Sequence, residues 1–174
     1  MTDHRQTFEA LALPHMDAAY NLARWLSRSP TDADDILQEA MLRAFRAFDG
    51  FCGENIRPWL LTIVRNCWRN NAAETRRRAH TPLPDEDGTA LRSDDPNPEA
   101  EALRASDGRR LEMLVAGLPD DFREVLILRE MEDLSYREIA EATGAPIGTV
   151  MSRLARARAM LKEMWLAEER HVMR

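Results

Sequence analysis

Two stretches of the chain carry residues whose types and spacing suit contact with nucleic acid. The first is "SYREIAEATGAPIGTVMSRLARARAMLK", Ser135 to Lys162. Between Pro146 and Lys162 it holds three Arg, one Lys and no acid. Cations on one helical face can meet phosphates, and arginine can also pair bidentately with a guanine edge. The second stretch, Arg57 to Arg78, holds six Arg and one Glu, interleaved with Trp59, Trp68, Asn66, Asn70 and Asn71. Guanidiniums for phosphates, flat rings for unstacked bases and amides for base edges are what a single strand requires. The bland readings are a helical hairpin with a solvated basic face, and tryptophans that belong to a core.

The elements that must position these residues read as helices throughout. Ser135 with Glu138 three residues on forms a capping box that starts one helix. Ile139, Ala140 and Thr143 continue an inward face from Tyr136. Gly144 suits a left-handed helix end, and Pro146 the first position of the next helix. In that helix Val150, Leu154, Ala157 and Leu161 form a buried stripe, while Thr149, Ser152, Arg153 and Arg156 lie on another face. The pattern predicts a helix-turn-helix whose second helix presents its N-terminal polar face to the major groove. The preceding segment, Asp120 to Glu141, has eight acids against three Arg, which polarises this half so that one face approaches DNA.

In the N-terminal half Phe8, Leu11, Tyr20, Ala23 and Leu26 recur at helical spacing, with Pro14 as a break. Thr31 is expected to cap a helix whose first turn carries Asp32, Asp34 and Asp35. Ile36, Leu37, Ala40, Met41, Ala44, Phe45 and Phe48 supply its apolar face. A third helix runs from Pro58 to about Arg78, after the loop "DGFCGENIR". In the C-terminal half one helix ends at "MLVAGL" and Pro119 opens the next.

The net charge of -6 looks wrong for a DNA binder until it is divided. Residues 1–80 sum to +1, residues 81–108 to -6 and residues 109–174 to -1. The middle segment has four prolines and few large apolar residues, and reads as a solvated linker with a short helix beginning near Pro98. Three parts follow: 1–78, a linker over 79–108, and 109–174. Hydrophobic content of 44% with only 6% aromatics favours an all-α chain with packed cores. No apolar run approaches the ~18 residues of a membrane span, and the N-terminus lacks a signal region, so a cytoplasmic protein without membrane insertion is expected. Cys52 and Cys67 give no disulfide framework and read as one surface and one core cysteine. There is no Gly-rich phosphate loop, and His4, His15, His80 and His171 are scattered, so no enzyme, metal or cofactor is expected.

On these motifs the chain resembles the bacterial sigma-70 family, in its extracytoplasmic-function (ECF) group. "DADDILQEAMLRAFRAFDGF" resembles region 2.1–2.2, "IRPWLLTIVRNCWRN" region 2.3–2.4, and "LPDDFREVLILREMEDLSYREIAEATGAPIGTVMSRLARAR" region 4. The resemblance implies two small helical domains on a flexible acidic linker, a region 2 helical bundle and a region 4 helix-turn-helix. Together they bind core RNA polymerase and direct promoter-specific initiation. It puts Asp35, Gln38, Glu39 and Arg43 on the beta-prime clamp helices and leaves region 4 for the beta flap. Phe51, Trp59, Asn66, Arg69 and Asn70 fall at the -10 element, where a flipped base is captured. Thr149, Met151, Ser152, Arg153, Ala155 and Arg156 fall at the -35 element. Met151 departs from the common Lys or Arg, Cys52 from a frequent Arg, and Arg57-Pro58 is atypical. An acidic strand at Asp85–Asp95 could mimic nucleic acid in the RNA-exit region. Free members are held by an anti-sigma factor, so such a partner is expected beside promoter DNA. The alternatives are a stand-alone helix-turn-helix regulator and a sigma-like decoy that sequesters an anti-sigma factor.

Overall fold

The computed structural model describes residues 2–79 and 100–172, with side-chain surroundings for 5–77 and 107–170. The segment 80–99, which includes the acidic Asp85–Asp95 and the helix start expected at Pro98, lies outside the described residues. Among the described residues there are eight α-helices and no strand.

Proline chemistry sets the first boundaries. α1 (Thr2–Ala12) ends where Pro14 forces a single 3-10 turn, and α2 (Met16–Ser27) resumes after it. α2 stops at Arg28, whose φ of 65° is left-handed. α3 (Pro30–Ala47) is capped by Ser29 rather than Thr31: the Ser29 hydroxyl accepts from the Asp32 amide at 3.2 Å. Pro30 at the first helical position is the sequence signal that selects Ser29, because its fixed φ suits that position and it has no N–H to lose. α4 (Ile56–Ala79) starts two residues before the expected Pro58.

These four helices bury Leu22, Leu26, Ile36, Leu60, Leu61 and Val64, each worth about 1.5–3 kcal/mol. Trp68 is buried with them, whereas Trp59 is only half-buried. Leu11 and Phe45, expected inside, are exposed; Phe45 keeps an edge-on contact with Phe8 at 5.4 Å.

The second unit comprises α5 (Ala100–Ala116), α6 (Asp120–Glu130), α7 (Tyr136–Thr143) and α8 (Ile147–Val172). α5 therefore begins inside the stretch that the composition assigned to the linker. Pro119 caps α6 instead of opening it. The capping box of α7 is complete: the Ser135 hydroxyl accepts from the Glu138 amide, and Glu138 accepts from the Ser135 amide at 2.7 Å. Gly144 ends α7 at φ 69°, the left-handed turn that favours glycine. α8 starts one residue after Pro146, buries Val150, Leu154 and Ala157, and runs ten residues past Lys162.

The two units are not separate. α2 packs on α5 and α6, and α4 packs on α7, so one apolar cluster runs from Leu22 and Trp68 through Leu126 and Ile127 to Val150. An apolar cavity of about 110 Å³ lies in this junction, lined by Trp25, Leu111, Val115, Leu126, Ile127 and Leu161 among others.

Candidate nucleic-acid interface

α4 and the loop before it position the first group of residues. Trp59, Asn66 and Asn70 stand seven and eleven residues apart, which returns them to one side of a helix. Asn66 and Asn70 are exposed. Phe51 stacks on Phe48 with ring centroids 6.3 Å apart and leans on Trp59 at 5.1 Å. Gly53 lets the loop pass beneath the Phe51 ring, because a β-carbon there would stand 2.9 Å from that ring. The loop, Trp59 and Thr62 line a cavity of about 480 Å³, and Glu138 and Glu141 of α7 form its other wall. A cavity of this size with two rings on one side can hold a planar base.

Arg69 does not join the exposed amides. With Arg65, which the sequence reading did not single out, it turns toward α6. Glu124 is 0% exposed and accepts four hydrogen bonds. Arg65 donates through Nε at 2.8 Å and Nη2 at 3.1 Å, and Arg69 through Nε at 3.0 Å and Nη2 at 2.8 Å. Arg69 Nη2 also donates to Asp121. Around this centre Arg57 donates to the side chain and carbonyl of Glu132, both at 2.7 Å, and Arg76 donates to Asp120 at 2.7 Å. Arg28 Nη1 donates to the Ala116 carbonyl at 2.8 Å. Arg123, 1% exposed, lies behind with bonds to Asp120 and two α5–α6 carbonyls.

The electrostatics follow from this pairing. Burial opposes the charge on Arg69, but its bonds to Glu124 and Asp121 outweigh that and raise its pKa. The bond from Arg69 holds Asp121 below the usual carboxylate range, with Arg153 and Arg65 adding to the effect. Burial pushes Glu132 up against the pull of Arg57, and burial with the nearby Arg28 lowers Arg123. Buried pairs of this kind satisfy charges that would be costly alone.

α8 carries the second group. Met151, Ser152, Ala155 and Arg156 are exposed and Thr149 is partly so. Ser152 donates to the Thr149 carbonyl at 3.0 Å. Arg153 is drawn aside: its Nη2 donates to the second oxygen of Asp121 at 3.0 Å. Asp121 thus joins Arg69 of α4 to Arg153 of α8. Of the acids of α6, expected to lie away from DNA, Asp120, Asp121 and Glu124 face the arginines of the first unit, while Glu130 pairs with Arg158 of α8. α3 carries the third group, with Asp35, Gln38, Glu39 and Arg43 all exposed and Glu39 paired to Arg43 at 2.6 Å. Leu42, 53% exposed, stands among them and was not foreseen. Cys52 is exposed, Cys67 is buried, and both are free.

The described helices thus comprise a helix-turn-helix and a second helix, α4, that runs beside an aromatic-walled cavity. Two family models match the chain: "Sigma-70 region 2" over residues 11–78 and "Sigma-70, region 4" over residues 108–161. The ECF RNA polymerase sigma factor SigE of Mycolicibacterium smegmatis is 33% identical over 157 residues, which is 90% of this chain and 61% of that protein. The ECF RNA polymerase sigma-E factor of Haemophilus influenzae is 38% identical over 149 residues, 81% of this chain and 77% of that one. Among solved structures, the sigma factor RpoE in complex with the anti-sigma factor NepR, from Bartonella quintana, matches with a TM-score of 0.75 at 26% identity, covering 95% of this chain and 98% of that chain. CnrH in complex with the cytosolic domain of CnrY matches at 0.67 and 26%, covering 94% and 90%. The chain belongs to the sigma-70 family, in its ECF group.

Proposed function

We propose that this sigma factor docks on core RNA polymerase through α3, anchors on the -35 element with the N-terminal turns of α8, and opens and reads the -10 element with α4 and the 51–55 loop. The observation that carries this reading is the presence, on one chain of this family, of two differently built surfaces, an exposed helix end on α8 and an aromatic-walled cavity beside α4. On α8 a groove-sized helix end offers Thr149, Ser152, Arg153 and Arg156, with Met151 and Ala155 for apolar contact. On α4 the Phe51–Trp59 cavity, with Asn66 and Asn70 beside it, offers stacking and amide contacts to an extruded base. Extrusion costs a few kcal/mol, which a pocket and stacking can offset. Arg69 would add a phosphate contact once released from α6.

On α3 the exposed Asp35, Gln38, Glu39 and Arg43, with Leu42 at their centre, form a mixed polar and apolar surface suited to helices of the polymerase clamp. Region 4 is left to the beta flap. The role is regulatory and non-enzymatic, exercised in the cytoplasm. Two solved relatives are complexes with an anti-sigma factor or with a partner's cytosolic domain, which supports an anti-sigma partner here. The test is run-off transcription from genomic fragments with purified core polymerase. Promoter-specific transcripts that depend on the chain are expected; none from active core would overturn the reading.

A further inference from the structure

The seam between the units has a chemistry that the proposed function does not use. Four arginines of the first unit (Arg57, Arg65, Arg69 and Arg76) each meet a carboxylate of the second: Glu132, Glu124, Glu124 with Asp121, and Asp120. Two of these arginines share Glu124, a carboxylate with no solvent exposure. Two oxygens that receive four N–H bonds from two guanidinium forks reproduce the geometry by which arginine grips a phosphate. The same carboxylate cluster reaches the other DNA surface, because Asp121 accepts from both Arg69 and Arg153. The second unit also borders the base-sized cavity, which Glu138 and Glu141 of α7 line on its far side.

We propose that Asp121 and Glu124 are an internal stand-in for DNA phosphate, holding the free chain closed with its -10 and -35 arginines engaged on one acidic cluster. The proposal rests on the functional reading above for the identity of the displaced ligand. The closure itself does not. Opening must break the Arg65 and Arg69 bonds to Glu124 and the Arg69 bond to Asp121. Asp121 then keeps Arg153 as its partner, a pair that lies within the second unit. DNA on α4 competes with Glu124 and Asp121 for Arg65 and Arg69, so by linkage its engagement there favours the open chain.

The partners and burial indicate how to break the seam. Replacing Glu124 and Asp121 with the amides leaves Arg65, Arg69 and Arg153 close together without an anion, and solvent becomes the better place for them. The test compares the full-length chain with D121N/E124Q by small-angle X-ray scattering and by binding of a fluorescent mixed-sequence single-stranded oligonucleotide, without polymerase. A D133N/E163Q variant, altered at exposed positions, controls for net charge. Expected are a larger radius of gyration for D121N/E124Q with unchanged helical circular dichroism, and oligonucleotide binding tightened by about tenfold, with neither change in the control. Wild type should expand as salt rises from about 0.05 to about 0.5 M, since screening favours separated charges. This arm needs no substitution, and R65Q/R69Q should open the chain equally if D121N/E124Q loses helix. A wild-type chain already extended at low salt, or a D121N/E124Q chain as compact as wild type, overturns the closure. Failure of run-off transcription by wild type would overturn the functional reading and leave the scattering result standing.

Discussion

The arginines of α4 and those of α8 look alike in sequence, yet the structure treats them differently. Arg65 and Arg69 are held by a buried carboxylate of another unit, whereas Arg156 projects into solvent beside Ser152 and Ala155. Arg153 falls between the two cases, tethered to Asp121 and partly exposed. A basic helical face therefore does not by itself say what neutralises it. Where a matching acid is within reach the pair closes, buried as at Glu124 or at the surface as between Arg158 and Glu130; where none is, the face stays available.

The contrast can be broken from its buried side first. Glu124→Gln removes the one carboxylate shared by two guanidiniums and should destabilise the described fold by about 3–5 kcal/mol, the range for a broken buried pair. A denaturant midpoint unchanged from wild type would show that the seam contributes nothing. Next comes the open side. Arg156→Ala should cost about 1–3 kcal/mol at a guanine contact, or lower the salt slope of duplex binding by about 0.9 if it meets a phosphate. Fold stability should stay where it was. If R156A unfolds the chain instead, the distinction between the two arginine sets fails.

A subtler probe is pH. Asp121 is held below its ordinary value by Arg69, so its contribution to stability is complete above the usual carboxylate range. It is lost only as pH falls through the lower folded-state value. Glu132 runs the other way: burial raises its pKa, so its ionisation costs the fold, and stability falls as pH rises through that raised value. Denaturant midpoints measured from neutral to mildly acid pH should therefore rise slightly in wild type, and E132Q should flatten that rise. The smallest effect concerns Met151, 52% exposed in the first turns of α8. Met151→Lys should add about 0.9 to the salt slope of duplex binding without moving the scattering profile.

Much of this molecule was legible because its signals are local. The Ser135–Glu138 box, the left-handed Gly144 and the Val150–Leu154–Ala157 stripe each depend on residues within a few positions, and all three appear in the fold. The Thr31 cap failed because Ser29 was equally suitable, and only Pro30 distinguishes them. The seam was not legible because its partners lie 44 to 75 residues apart in sequence. One clue was available. Val125, Leu126, Ile127 and Leu128 follow one another, so that one turn of α6 is apolar on every side and is enclosed by neighbours. Of its charged residues, those that abut this turn on its N-terminal side, Arg123 and Glu124, are enclosed with it, whereas Asp121 and Glu130 stay open to solvent. The exposed Leu42 on α3 needed no long-range information, only notice of an apolar residue among charged ones.

α8 continues unbroken from Ile147 to Val172, with Arg110 of α5 stacked 4.0 Å from Trp165 and bonded to Glu168 near its far end. At 1.5 Å per residue this is a rod of about 39 Å. A rod has no joint at which to absorb displacement. Any tilt imposed where α5 grips it must swing the N-terminal tip, with Thr149 and Ser152, through an arc, making the last turns of α8 a tiller for its first.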